Sequence, residues 1–218
     1  LFYKGNSSFG FFSKDDLSSQ AGLDQGHHKT PWFRENEYPA GSSLTVKLDS
    51  LFGKMKLFRS VHPASPQLHL AGGQLHFLDT ATIVPGGGKY GKGYIFATRF
   101  VQQHDWYFTC HFYQDPVMPG SLGVEAIIQA MQVLALQQGL GEGLQNASFS
   151  QPAPHRTTWK YRGQILQHDP ELHLEVHFKE IKKENNSVLV TADASLWKGV
   201  LRIYEVTDLA VLLANQQS

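Results

Sequence analysis

One thiol is all this 218-residue chain carries, Cys110, and one thiol cannot build an internal disulfide framework. That fits a reducing cytoplasm. Excess charge of either sign is also missing, with 19 basic residues against 19 acidic ones. Bulk charge therefore gives no support to a nucleic-acid or membrane-surface role. No apolar run approaches the ~20 residues that span a bilayer. No signal peptide and no internal repeat is visible. The chain lacks a starting methionine, beginning at Leu1, which suggests a piece cut from a longer polypeptide.

What is present is a sizeable apolar content, 41%, enough for one substantial core. Residues 1–44 read differently, rich in Gly, Ser, Asn, Asp and Gln with isolated aromatics. They are expected to be a linker or wrapping arm, with a short helix over roughly 14–21. Residues 45–218 form the second unit. A short helix is expected around Leu48–Phe58, then a strand over Leu75–Val84. The Pro85–Gly88 turn leads into a strand over Lys92–Val101, and a third strand spans Phe108–Phe112. The glycine run lacks the lysine-serine/threonine ending of a phosphate loop. His27 and His28 lack further ligands at zinc spacing.

A long helix is expected over Ser121–Gln138, since Pro119 suits its start and Gly139 and Gly141 its end. It is apolar on most sides and should be buried. Ser121, Glu125, Gln129 and Gln132 make one polar stripe along it. Strands follow at Thr158–Arg162, Leu172–Ile181, Val188–Leu196 and Val200–Thr207, forming an antiparallel meander with one dry and one wet face. The expected class is α+β, with the sheet wrapping the helix.

His111 and Glu125 frame the segment of chemical interest. Glu125 is the one ionisable side chain in an apolar helix. Burial raises a carboxyl's pKa and suits a general acid, with Gln129 one turn on as partner. His111 ends an aromatic run beside the helix N-terminus, whose N–H groups favour developing negative charge. A carbonyl bonded to Gly120 N–H there would gain enolate stabilisation. A Cys110–His111 nucleophile pair is disfavoured, because strand neighbours point to opposite faces. A metal site from Cys110, His111 and Asp115 fits no zinc spacing.

The blocks Cys110-His111-Phe112, Asp115-Pro116-Val117-Met118-Pro119-Gly120, Leu122-Gly123 and Glu125-Ala126 with Gln129 resemble the active-site motif of the β-hydroxydecanoyl thioester dehydratase/isomerase family. The likeness continues through Lys160–Leu166, His177–Lys179, Leu201–Tyr204 and Asp208-Leu209. Upstream it takes in Gly91–Tyr94 and Asp105–Phe108, so it covers roughly 45–214. The opening segment is similar, more weakly, to linkers of dehydratase domains in polyunsaturated fatty acid synthases. The resemblance implies a hotdog fold paired with a second hotdog, either another copy or a neighbouring domain. It implies His111 as base, Glu125 as acid, Gly120 N–H as carbonyl donor, the Val117 carbonyl as the partner orienting His111, and Gln129 as the residue holding Glu125. No metal or redox cofactor is implied. The substrate rides on the phosphopantetheine of an acyl carrier protein, for which Arg156, Lys160, Arg162, Lys182 and Lys183 are candidate contacts. Glu stands where the isomerising subgroup usually has Asp, so dehydration is expected and isomerisation is open. The alternative is a non-catalytic hotdog serving as structural partner or carrier-protein binder.

Overall fold

The computed structural model describes residues 70–215 without a break, with 21–36, 42–48, Leu68 and scattered positions among the first 20. The helices expected at 14–21 and Leu48–Phe58 fall mostly outside the described residues. Eight antiparallel strands form one sheet among the described residues. They are β1 (Leu44–Lys47), β2 (Thr80–Val84), β3 (Tyr94–Phe100), β4 (Ala147–Ser150), β5 (Thr158–Tyr161), β6 (Glu171–Glu184), β7 (Ser187–Lys198) and β8 (Leu201–Asn215). Their spatial order is β1-β2-β3-β6-β7-β8-β4, with β5 paired separately to β8.

The central helix runs Gly120–Gln137. Pro119 precedes it in extended geometry. It ends in a Schellman motif: Leu140 N–H donates to the Ala135 carbonyl and Gly139 N–H to the Leu136 carbonyl. Gly139 sits at φ 69°, the left-handed conformation that this ending needs. Ile127, Met131, Val133, Leu134 and Leu136 are buried against Leu172, Leu174, Val176 and Phe178 of β6 and the facing residues of β7 and β8. Each large aliphatic side chain buried this way contributes on the order of 1.5–3 kcal/mol. One long helix wrapped by an antiparallel sheet is the hotdog architecture.

The second face of β6 departs from expectation. It should be wet, yet His173, Glu175 and His177 are buried. Residues 21–36 lie over it. Trp32 N–H donates to Glu175 Oε2 at 2.8 Å, and Tyr94 Oη donates to the same oxygen at 2.9 Å. His177 Nε2 stands 3.3 Å from Glu175 Oε1. Phe33 stacks on Phe96, and Trp32 packs at a tilt on Tyr94. Trp197 Nε1 donates to the Lys29 carbonyl, and Arg202 grips Asp24. The buried polar groups are thus paired, as burial requires.

Three strand expectations need correction. Phe108–Phe112 is no strand: Trp106–Thr109 is a 3-10 turn, and the chain then loops. Its backbone bonds are those of a turn, with Phe108 N–H donating to the Asp105 carbonyl and Cys110 N–H to the Tyr107 carbonyl. Asp105 fixes that turn by accepting from Gln102 N–H, Tyr107 Oη and Arg99 Nη2. The Leu75–Val84 strand begins only at Thr80, because Gln129 binds the Leu75 carbonyl and Phe77 N–H in a strand neighbour's place. Finally, β8 runs past Thr207 to Asn215. Asp208, at φ 56°, makes a bulge opposite Asp193 and breaks the alternation that would reveal the longer strand.

Candidate active site

The path from the 3-10 turn to the central helix is short and tightly bonded. His111 N–H donates to the Tyr107 carbonyl at 3.0 Å, so the buried turn anchors the backbone of His111. Val117 N–H donates to the His111 carbonyl at 2.8 Å. His111 Nδ1 lies 2.9 Å from the Val117 carbonyl oxygen. A carbonyl can only accept, so Nδ1 carries a proton, and in the neutral ring Nε2 presents the lone pair. Inside the loop, Phe112 N–H donates to the Asp115 carbonyl and Asp115 N–H returns the bond. Met118 N–H donates to the Ile165 carbonyl, tying the helix entrance to the strand-like segment beyond.

Glu125 lies one turn into the helix and is half-buried. Its Oε1 accepts from Gln129 Nε2 at 3.0 Å. Gln129 is fully buried, and its amide is used throughout: one N–H to Glu125, one to Leu75, and the oxygen accepting from Phe77 at 3.1 Å. The carboxyl is therefore aimed by a side chain that is itself held by backbone. Among the described residues no hydrogen bond joins His111 to Glu125. The chain alone does not enclose Glu125 as fully as the apolar helix suggested.

Gly120 is the first residue of the helix, whose N-terminus has no side-chain cap. Its N–H and that of Ser121 are left to meet an acceptor, whereas Leu122 N–H already donates to the Pro119 carbonyl at 3.0 Å. Sequence reasoning gave no role to the residues that surround it. Tyr204 Oη donates to the Gly120 carbonyl at 2.9 Å. A methyl on Gly120 would lie 3.0 Å from the rings of both Trp159 and Tyr161. The pairing Tyr161↔Tyr204 between β5 and β8 brings these rings together, and strand alternation would have signalled it only had that register been known. Burial pushes the Tyr204 and Tyr161 hydroxyls above the ordinary phenol range.

Cys110 is exposed, its Sγ near the Trp106 and Tyr107 carbonyls and not on the His111 ring. Its separation from His111 chemistry comes from this turn and not from strand alternation. Among the described residues no group of His, Cys, Asp and Glu has the makings of a metal site, and no helix is long and apolar enough to cross a membrane.

An open cleft of about 580 Å³ lies elsewhere, lined by residues including Lys92, Arg156, Lys179, Lys182 and Asp208. None of the helix-mouth residues lines it. Its lysines are partly neutralised, Lys179 by Asp208 at 2.6 Å and Lys182 by Glu180 at 3.2 Å. The helix mouth is the stronger candidate, because a base, an acid and free amides occur there on one short segment. Of the basic candidates, Arg156 and Lys182 meet in this cleft, whereas Lys160 is engaged by Glu205 at 2.7 Å.

The wrapped helix defines a hotdog domain. The profile described as "FabA-like domain" matches residues 70–207, and the chain belongs to that family. It is 38% identical over 218 residues to one of the subunits of a polyunsaturated fatty acid synthase from a Thraustochytrium species, covering 99% of this chain and 14% of that relative. The chain thus spans a small part of that relative's length. Among solved structures, the dehydratase domain from the CurJ module of curacin polyketide synthase superposes with a TM-score of 0.54 at 15% identity, covering 86% of this chain and 54% of that one. An inactive mutant of the CurJ dehydratase in complex with a compound gives 0.50 at 13% identity, covering 83% and 54%. At these identities the two likenesses speak for the fold.

Proposed function

We propose that residues 45–218 form a (3R)-hydroxyacyl thioester dehydratase domain acting on chains carried by an acyl carrier protein, with residues 1–44 as its arm. The observation that carries this is the His111 ring, whose protonated Nδ1 is bound to the Val117 carbonyl. That leaves Nε2 as a base at the helix entrance. Nε2 takes the proton from the carbon next to the thioester carbonyl. The carbonyl oxygen, bonded to Gly120 N–H, bears the developing negative charge near the positive end of the helix. Glu125, oriented by Gln129, gives its proton to the departing hydroxyl. Water leaves, and the trans-2-enoyl thioester remains.

The reading includes a second hotdog, either another copy or a neighbouring domain, with His111 of one facing Glu125 of the other. The half-buried Glu125, which makes no bond to His111 in the same chain, favours that arrangement. The acyl chain would lie in an apolar tunnel beside the central helix. Isomerisation from trans-2 to cis-3 needs the same base to move a proton between carbons, and Glu125 in place of Asp leaves dehydration as the main reaction.

Product analysis with a defined 3-hydroxyacyl thioester tests the proposal. The native domain, paired with its second hotdog, should release trans-2-enoyl thioester. His111→Ala and Glu125→Gln, at unchanged thermal midpoint, should each fall by at least about 100-fold, the scale of a lost general acid or base. Full activity in either variant refutes the role given to that residue, and free acid as product would indicate a thioesterase instead.

A further inference from the structure

Gly120 and Gly123 share a neighbour that the proposed reaction does not use. Tyr204 of β8 is fully buried, and its hydroxyl donates to the Gly120 carbonyl at 2.9 Å. A methyl on Gly123 would overlap the Tyr204 ring itself. The ring therefore lies close against the helix backbone, and its hydroxyl ends on the first turn. A tyrosine buried this way needs a partner for its O–H, and here the partner is a carbonyl that already belongs to the helix.

We infer that Tyr204 is a positioning residue for the carbonyl-binding amides of the helix entrance. The inference rests on the reading of Gly120 N–H as the substrate donor. The Gly120 carbonyl belongs to the peptide linking Gly120 to Ser121. A hydrogen bond to it holds that peptide plane and polarises it, which makes the Ser121 N–H a better donor. It also fixes the far side of Gly120, a residue with no side chain of its own to hold it. Pro119 supplies no N–H and the helix has no side-chain cap. Glycine lets the substrate and the aromatic rings come close, and Tyr204 restores the rigidity that two glycines in the first turn remove. An amide site displaced by a fraction of an ångström stabilises the developing charge less.

Trp159 and Tyr161 extend the same device outward. Tyr161 meets Tyr204 edge-on at 4.6 Å, and Trp159 stacks beside Tyr161 at 5.7 Å. Both are partly exposed, at 41% for Trp159 and 37% for Tyr161. They shield the Tyr204 hydroxyl bond from water on the side away from the helix.

Tyr204→Phe in the whole 218-residue chain tests this, because it keeps the ring and removes only the hydroxyl. Two readouts are needed. By nuclear magnetic resonance, the Gly120 carbonyl carbon and the Ser121 amide should shift, while signals from the last two helical turns stay in place. In steady-state kinetics with a 3-hydroxyacyl thioester, kcat should fall about 10-fold with KM within about 2-fold, the pattern of an interaction expressed in the transition state. Both limbs of the pH profile should stay where they are, since His111 and Glu125 are untouched. Gly123→Ala, which displaces the ring by a different route, should move the same resonances and lower kcat in the same sense. Unmoved Gly120 and Ser121 signals overturn the tether, whatever the activity. Moved signals with native kcat overturn its catalytic part. Absence of enoyl product both from the native chain and from a longer polypeptide carrying the second hotdog defeats the proposed function and the catalytic part together, while the resonance measurement still decides the tether.

Discussion

Two side chains do most of the positioning at this site, and neither is charged. Gln129 is buried with every polar atom engaged, joining Glu125 to the backbone of Leu75 and Phe77. Gln129→Ala leaves a buried N–H and carbonyl unpaired as well as a cavity. The expected cost is about 2–4 kcal/mol, read from a urea unfolding midpoint. Gln129→Glu keeps the volume but sets a second carboxyl beside the first, so activity near neutral pH should fall more than stability does. Glu205 offers a pH test. Its hydrogen bonds to Lys160 and then Arg202 hold its pKa at about 2, below the ordinary 4.5. Lys160 is largely exposed and screened by water, so the Arg202 pair is the firmer of the two. With the folded pKa depressed, the stabilisation is complete above about 4.5 and disappears as the pH falls towards about 2. Glu205→Gln should therefore lower the thermal midpoint at pH 7, and the gap from the native chain should close through that window. The signals for the candidate residues His111, Glu125, Gly120 and Gln129 all stood in the sequence, because the proposed chemistry depends on spacing along one segment. Tyr204 stood there too, without a role. What it touches is a helix residue 84 positions away, and no local pattern encodes that.

Among the elements, the central helix was the easiest to read. Its apolar residues run nearly all round, and Pro119 and Gly139 mark its ends with specific backbone demands. The strands of the β6–β7–β8 meander were legible for the same reason, with alternation and turn residues in agreement. Failures fell where tertiary partners override local pattern. The aromatic run at 106–112 has the composition of a strand, yet Asp105 and Arg99 hold it as a turn. The polar face of β6 looks wet until residues 21–36 are laid over it. That arm should behave as a separately releasable element. Asp24→Asn removes the carboxylate that Arg202 grips and should loosen residues 21–36, measured as faster amide exchange at Leu23, Trp32 and Phe33, with the helix unaffected. Arg202 holds the Asp24 carboxyl below its usual range, so acid should release the arm in the native chain as well. That contribution is whole above the ordinary aspartate value and is lost as the pH falls towards the depressed one.

At the scale of the molecule, the helix mouth offers a base with a free Nε2, a carboxyl not bonded to it, and uncapped amides ringed by aromatic side chains. Phe112 and Tyr113 project from the loop after His111 into solvent. In the proposed reaction a lone hotdog holds both halves of the chemistry without closing them on each other, and pairing is what would bring them together. A mixture of the His111→Ala and Glu125→Gln chains should regain part of the activity that each lacks, if the partner is a second copy. If it is a neighbouring domain, the mixture stays inactive while a longer polypeptide carrying both units is active. The central claim is that the tethered imidazole of His111 removes a carbon-bound proton. Its most direct test uses a 3-hydroxyacyl thioester carrying deuterium at the carbon next to the carbonyl, and measures release of that label to water. The native protein should release it with each turnover, and His111→Ala, folded to the same thermal midpoint, should not. Release at the native rate from the His111→Ala protein would contradict that role.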